Sequence, residues 1–214
     1  MVRKQNIGSI VTAAAPRAPA ARARRYDARR DGILRAAAAI FRERGFADTG
    51  MRDIAMAADL SPANLYHYFN GKDEILFYCQ DRALNRMLDG ITASRRSVRD
   101  PAERLRAVLV THLLTMLDEV EGATAHLQVE GLAPALRARI VRKRDRYERA
   151  LRRLIAEGVR EGAFAAGNTS LLARAMLGAL NWTVTWYRPQ GPLSPQLIAV
   201  AMAEYLVRGL RVHS

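Results

Sequence analysis

Hydrophobic positions recur along this chain at intervals of three and four, and no segment shows the alternation that marks a strand, so the pattern predicts an all-α fold. The first clear face lies over 27–44, where Ile33, Leu34, Ala37, Ala38 and Phe41 share one side. Gly45 follows as a natural stop, because a positive φ is cheap there. A second helix should begin near Thr49 and Gly50, with Thr49 as N-cap and Asp53 in the first turn, and end near Ala58. Asp59 and Leu60 make a tight turn. Ser61-Pro62, a capping serine followed by proline at the first helical position, starts a short helix over 62–68. Asn70-Gly71 breaks it, and a longer helix runs from 72 to about 93.

Residues 94–99 read as a basic linker, and Asp100-Pro101-Ala102-Glu103 as a capped helix start. Leu105, Val108, Leu109, His112, Leu113, Met116 and Leu117 then form a buried face at period 3.6, ending by Gly122. Further helices are expected over 123–130, from 134 to 158 or beyond, over 169–187 and over 194–210. Asn168 or Thr169 would cap the third of these and Ser194-Pro195 the last. Residues 1–25 have no periodicity and read as a disordered basic arm. The division that follows is an arm over 1–25, a small domain over 26–75 and a larger one over 76–214.

Composition agrees with helix: Ala, Leu and Arg dominate and β-branched residues are sparse. Charge adds a partner. The net +13 divides into +7 over residues 1–30 (eight basic, one acidic), zero over 31–100 (ten and ten) and +6 over 101–214 (sixteen and ten). Such an excess suits a polyanion, with nucleic acid ahead of membrane. Cys79 is the only cysteine, which excludes an intrachain disulfide and a cysteine-only zinc site and fits a reducing cytoplasm. The histidines show no metal-ligand spacing, so neither metal nor cofactor is expected. No apolar run approaches the roughly 18–20 residues a membrane span needs. The first twenty residues carry two early basic residues and a short apolar stretch, weak elements of a secretory leader. Cytoplasmic location is the expectation. No glycine-rich phosphate loop, Gly-x-Ser-x-Gly motif or pair of catalytic carboxylates supports an enzyme.

The segment 49–69 has the spacing of a helix-turn-helix, whose second helix is held by an inner face (Leu65, Phe69) while its N-terminal outer face meets base edges. Ile40-Phe41, Gly45-Phe46, Thr49, Ile54-Ala55, Ala58, Ser61, Leu65-Tyr66-His67-Tyr68-Phe69 and Lys72 together resemble the N-terminal signature of the TetR family of repressors, over roughly residues 28–76. Asp59 departs from it, standing where that family usually has glycine; aspartate tolerates the left-handed conformation better than most residues. The resemblance implies an N-terminal three-helix DNA-binding domain, a C-terminal helical ligand-binding and dimerisation bundle, a homodimer and a palindromic operator.

By position, Pro62, Ala63 and Asn64 lie nearest the bases, with Asn64 the expected reader of adenine. Ser61 caps the helix beside them. The resemblance implies mixed phosphate and base contacts for Tyr66, His67 and Tyr68. Thr49, Arg52 and Lys72 are expected on phosphate, Lys72 at a helix N-terminus that also favours an anion. The arginines of the arm are candidates for phosphate or the minor groove.

The last two long helices carry Leu171, Leu172, Ala175, Met176, Gly178 and Ala179, then Leu197, Ile198, Val200, Ala201, Ala203, Leu206 and Val207. By family resemblance this pair forms the dimer interface. The stretch from Gly178 through Trp182, Trp186, Arg188 and Pro189 to Pro195 resembles TetR-family regulators of fatty-acid, steroid and aromatic-acid breakdown. That resemblance implies a small-molecule effector of the acyl-CoA class. Over 137–153, nine basic residues stand against two acidic ones, and Arg142, Arg146, Arg149 and Arg153 share a face that could clamp phosphates. His112, Met116, His126, Trp182 and Trp186 are the candidate pocket residues, with Arg146 and Arg149 for the CoA phosphates. The competing reading is a ligand-independent architectural or division-linked DNA binder of the same fold.

Overall fold

The computed structural model describes residues 18–118 and 132–212. Among these, eight helices follow in order: α1 (Ala18–Arg44), α2 (Met51–Ala57), α3 (Pro62–Tyr66), α4 (Lys72–Ser97), α5 (Pro101–Leu117), α6 (Pro134–Arg160), α7 (Thr169–Trp186) and α8 (Pro195–Arg208). The only extended pairing among the described residues is a single bridge between Phe164 and Arg211. The expected helix over 123–130, and with it His126, lies outside the described residues.

Local chemistry sets most of the boundaries. Four side chains cap helix starts by accepting backbone N–H bonds: Ser61 from Asn64, Asp100 from Glu103, Asn168 from Ser170 and Leu171, and Ser194 from Leu197. Proline at the first helical position follows three of them. Gly45 ends α1 at φ +82°, a conformation glycine takes without a Cβ clash.

Two boundaries differ from expectation. α1 begins at Ala18, so residues 18–25 of the expected disordered arm are helical. This Ala- and Arg-rich stretch has high intrinsic helix propensity but no apolar face to announce it. α4 likewise runs to Ser97 and absorbs most of the expected 94–99 linker. No glycine or proline interrupts the chain between Gly90 and Pro101, and Ser94 is buried with its hydroxyl donating to Ile91 O at 2.9 Å.

α1, α2 and α3 form a small head whose buried residues include Ile33, Phe41, Ile54, Leu65 and Phe69. α4 starts under the head and continues into the body, where it packs on α5 and α6. α5 is the central strut, touching α4, α6, α7 and α8. One continuous apolar cluster extends from Ile33 in the head to Leu210 at the end of the body. Displacement of α1 or α4 is therefore felt on both sides. Ion pairs fix the frame: Arg95 of α4 meets Glu157 of α6 at 2.7 Å, Arg104 of α5 approaches the same carboxylate at 3.7 Å, and Lys143 of α6 pairs with Asp81 of α4. After α6 the chain folds back so tightly that Phe164 lies on the helix backbone, where a Cβ on Gly158 would sit 2.2 Å from the ring. Among the described residues, no helix is long and apolar enough to cross a membrane.

Candidate DNA-reading face and internal cavity

The turn between α2 and α3 has one residue in the left-handed region, Asp59 at φ +53°. Its carbonyl oxygen accepts from Arg29 Nη2 of α1 at 2.9 Å, so α1 pins the turn. α3 is shorter than expected: it ends at Tyr66, and His67, Tyr68 and Phe69 close it through backbone bonds to Asn64 and Leu65. Leu65 and Phe69 are fully buried and hold α3 to the head. Its opposite side presents Ser61, Pro62, Ala63, Asn64, Tyr66 and His67 to solvent. Arg29, Arg52, Ser61, Pro62 and Asn64 line one surface groove together with Met56. Six expected residues (Arg52, Ser61, Pro62, Ala63, Asn64, Tyr66) thus share one exposed face, with His67 at its end.

Three residues expected on DNA are placed otherwise. Thr49 is 1 % exposed, and its hydroxyl donates inward to Gly45 O at 2.6 Å. It does not cap α2, whose N-cap is Gly50 bonded to Asp53 Oδ2. Lys72 directs its ammonium back into the head. Nζ donates to the carbonyl oxygens of Phe46, Ala47 and Thr49 at 2.8, 3.1 and 2.9 Å and lies 4.6 Å from the Phe46 ring centroid. Three donors on three carbonyls exhaust an ammonium, so Lys72 is a brace for the 46–49 turn. Tyr68 is half-buried and stacked on Tyr26 of α1, centroids 5.0 Å apart. That contact sets the newly helical part of α1 beside the end of α3, with Arg22, Arg24, Arg25 and Arg29 exposed along it.

Two adjoining cavities, both partly open to solvent, lie in the body. The outer one, about 760 Å³, is walled by Met116 and Leu117 of α5, by Asn181, Trp182, Val184 and Thr185 of α7, and by Tyr187 and Arg188 beyond it. Arg42 of α1 completes the wall. The inner one, about 220 Å³, lies between Leu84 and Met87 of α4, His112 and Met116 of α5, Arg144, Asp145, Tyr147 and Glu148 of α6, and Asn181 of α7. Met116 and Asn181 belong to both.

A hydrogen-bonded chain crosses the inner cavity. His112 Nδ1 is 3.0 Å from Tyr147 Oη, and Nε2 is 3.3 Å from Asn181 Oδ1. An amide oxygen only accepts, so Nε2 carries the imidazole proton. Nδ1 is then the acceptor, and the Tyr147 hydroxyl donates to it. Burial pushes the Tyr147 phenol well above its ordinary range.

Of the residues expected in the pocket, His112, Met116 and Trp182 line these cavities. Trp186, Arg146 and Arg149 do not. Arg142, Arg146, Arg149 and Arg153 face outward on α6, so that stripe is a solvated helix face. The cations at the outer cavity are Arg42 and Arg188 instead. Sequence reasoning also missed Tyr147, Glu148 and Asn181. The available signal was polar residues at positions where the periodicity asks for apolar ones: Asn181 stands beside Leu180 on a mostly apolar helix.

On α7 and α8 a further apolar face is open to solvent, including Leu171, Ala175, Trp182, Leu197, Val200 and Tyr205, the last 79 % exposed.

Residues 98–210 match the family described as the tetracyclin repressor-like C-terminal domain, and residues 33–79 match the bacterial regulatory proteins of the tetR family. The chain is 29 % identical over 195 residues to the transcriptional repressor KstR2 of Mycobacterium tuberculosis, covering 86 % of this chain and 94 % of that one. Its fold matches the TetR-family regulator PfmR of Thermus thermophilus with a TM-score of 0.76 at 34 % identity, over 84 % of this chain and 99 % of that one. It also matches AibR, solved in complex with isovaleryl coenzyme A and operator DNA, with a TM-score of 0.71 at 26 % identity, over 86 % and 98 % of the two chains. With a pinned helix-turn-helix in its head and the family's C-terminal domain across more than half its length, this chain belongs to the TetR family of DNA-binding transcription regulators.

Proposed function

We propose that this regulator is a homodimeric repressor that leaves a palindromic operator when an acyl-CoA thioester fills the cavity between α5 and α7. The observation that carries the reading is the wall this cavity shares with the DNA-reading head. Arg42 lines it from α1. Arg29, on the same helix, holds the turn before the reading helix through Asp59 O. A ligand that moves Arg42 therefore moves the element that orients α3. A palindrome read by two such helices tolerates little change in their separation. A coupling of about 1–3 kcal/mol changes operator affinity by roughly 5–150-fold.

The chemistry of the cavity suits a thioester with an apolar acyl group. Met116, Leu117, Trp182 and Val184 cover the hydrocarbon, while Arg42 and Arg188 supply guanidinium groups for the CoA phosphates, a role the outward-facing Arg146 and Arg149 do not fill. AibR, to which this chain is similar, is solved in complex with isovaleryl coenzyme A and operator DNA, which supports an effector of the acyl-CoA class.

On the operator, Pro62, Ala63 and Asn64 approach base edges, and Arg52, Ser61, Tyr66 and His67 hold backbone. The open face of α7 and α8 meets its copy in a second subunit, placing two reading helices on one site. The protein works where the DNA is, in the cytoplasm.

The test is a mobility-shift panel on an operator enriched in vitro, comparing CoA thioesters with their matched free acids. Release by a thioester and not by its acid is the expected result. Failure of every thioester to change operator affinity, or equal action of the free acids, overturns the CoA reading.

A further inference from the structure

We infer that the inner cavity selects an effector whose apolar acyl body carries a hydroxyl group, which accepts a hydrogen bond from Asn181 and donates one to Glu148. The inference rests on the reading of the adjoining outer cavity as the effector site.

Two side-chain atoms on residues of this wall lack hydrogen-bond partners among the described residues, and they have opposite character. The first is Asn181 Nδ2. Because Oδ1 is held by His112 Nε2–H, the amide is oriented with its NH₂ turned away from the imidazole. Among the described residues this NH₂ makes no hydrogen bond, and Asn181 lies on the wall common to both cavities. The second is Glu148 Oε1, which is buried, has no hydrogen-bond partner among the described residues and belongs to a residue on the inner wall. A buried carboxylate oxygen without a donor is costly, and an occupant that supplies one recovers that cost.

The complement of one donor and one acceptor is a group that is both. A hydroxyl meets Asn181 with its lone pair and Glu148 with its proton. A ketone oxygen would satisfy Asn181 but set oxygen against oxygen at Glu148. An ammonium would satisfy Glu148 but face the N–H groups of Asn181. Arg144 and Asp145 also line this space, and Ala83, Leu84, Met87, Met116 and Leu177 form its apolar part, against which the hydrocarbon that bears the hydroxyl packs. At about 220 Å³ the inner cavity is smaller than the roughly 300–1,000 Å³ of ordinary ligand sites, so it takes the far end of an acyl group whose remainder fills the outer cavity.

The experiment titrates the full chain with cyclohexanecarboxyl-CoA and with 4-hydroxycyclohexanecarboxyl-CoA, following Trp182 fluorescence and confirming by calorimetry. The two free acids form a parallel series. The hydroxylated thioester is expected to bind about tenfold tighter or more than its parent. In Asn181→Ala and in Glu148→Met the preference should shrink to about twofold or less, with the parent's affinity little changed. Equal binding of the two thioesters to the wild type overturns the inference. So does a preference that survives both substitutions. If a hydroxyl preference appears among the free acids while neither thioester binds, the inference stands and the CoA reading falls; thioesters that bind without preference give the converse. No binding by any of the four overturns both. A variant that fails a thermal-melt check leaves the decision with the wild-type pair and the other variant.

Discussion

Arg29 Nη2 of α1 donates to the carbonyl oxygen of Asp59 across thirty residues of sequence, at the one described non-glycine residue with positive φ. The bond ties the turn of the helix-turn-helix to the helix whose other end borders the outer cavity. It also anchors, through the backbone, an aspartate held at a φ that glycine takes without strain.

Asp59 is expected to respond to substitution through the backbone. Glycine takes a φ of +53° without steric cost, whereas alanine has neither that freedom nor the local hydrogen bonding open to aspartate. Urea denaturation should rank the variants Asp59→Gly at or above wild type and Asp59→Ala below it, with the two substitutions about 1 kcal/mol apart. Equal stability of the Ala and Gly variants would contradict the assignment.

Lys72 and Arg52 should separate stability from DNA affinity. Lys72→Met removes the donor from three carbonyl oxygens and is expected to cost about 2 kcal/mol of stability, while leaving the salt dependence of operator binding unchanged. Arg52→Ala is exposed and should do the reverse, with little effect on the melt and a log–log salt slope lower by about 0.9. A changed slope for Lys72→Met would put its ammonium on phosphate after all.

Asn64 and Tyr66 are expected to divide reading from holding. Asn64→Ala should relax preference at one base position per half-site, worth about 1–3 kcal/mol against the wrong base. Tyr66→Phe should weaken all sequences alike, because a lost phosphate contact carries no sequence information. Binding to a panel of single-base operator variants distinguishes the two, and the same pattern from both substitutions would refute the division.

What the sequence made legible is what local chemistry controls. Ser61, Asp100, Asn168 and Ser194 cap the helices they were expected to cap, or one of two proposed caps in the case of Asn168, because each needs only a neighbour two or three residues away. The exposed face of α3 was legible for the same reason. Side chains with two possible fates were not. Thr49 and Lys72 have the composition of phosphate ligands, and only the folded 46–49 turn shows that their polar atoms are already used. The cavity chemistry was least legible: His112 meets partners 35 and 69 residues away, and no spacing rule relates them. Arg146 and Arg149 show the converse error, a regular stripe that faces water.

Tyr147 predicts a pH dependence. Burial raises its phenol pKa in the folded state, so the neutral form is favoured there relative to the unfolded chain. A raised folded value means the contribution is fully present below the unfolded pKa of about 10 and is lost as pH climbs above it. Wild-type stability should therefore fall above about pH 10 more steeply than that of Tyr147→Phe, as measured by denaturant midpoints from about pH 8 to 11. Parallel curves for the two proteins would show that Tyr147 ionises as freely folded as unfolded.

The dimer face gives the last prediction. Ala175 lies exposed on α7, on the same open surface as Leu171 and Trp182, whereas Ala179, one turn on, is not needed to reach that face. Arginine at 175 therefore has room in the isolated subunit and should leave its melt nearly unchanged. In a dimer packed through α7 and α8, the twofold axis would bring that charge and its copy into one small-residue seam, desolvated and without a counter-charge. Ala175→Arg should sediment as a monomer at micromolar concentration where the wild type sediments as a dimer. Its operator affinity should fall towards the non-specific level, since a single head reads only half a palindrome. Gly209→Arg, just beyond the end of α8, serves as a charge-matched comparison. If Ala175→Arg stays dimeric with its fold intact, the subunits meet elsewhere, and the apolar surface of α7 and α8 must be assigned to another partner.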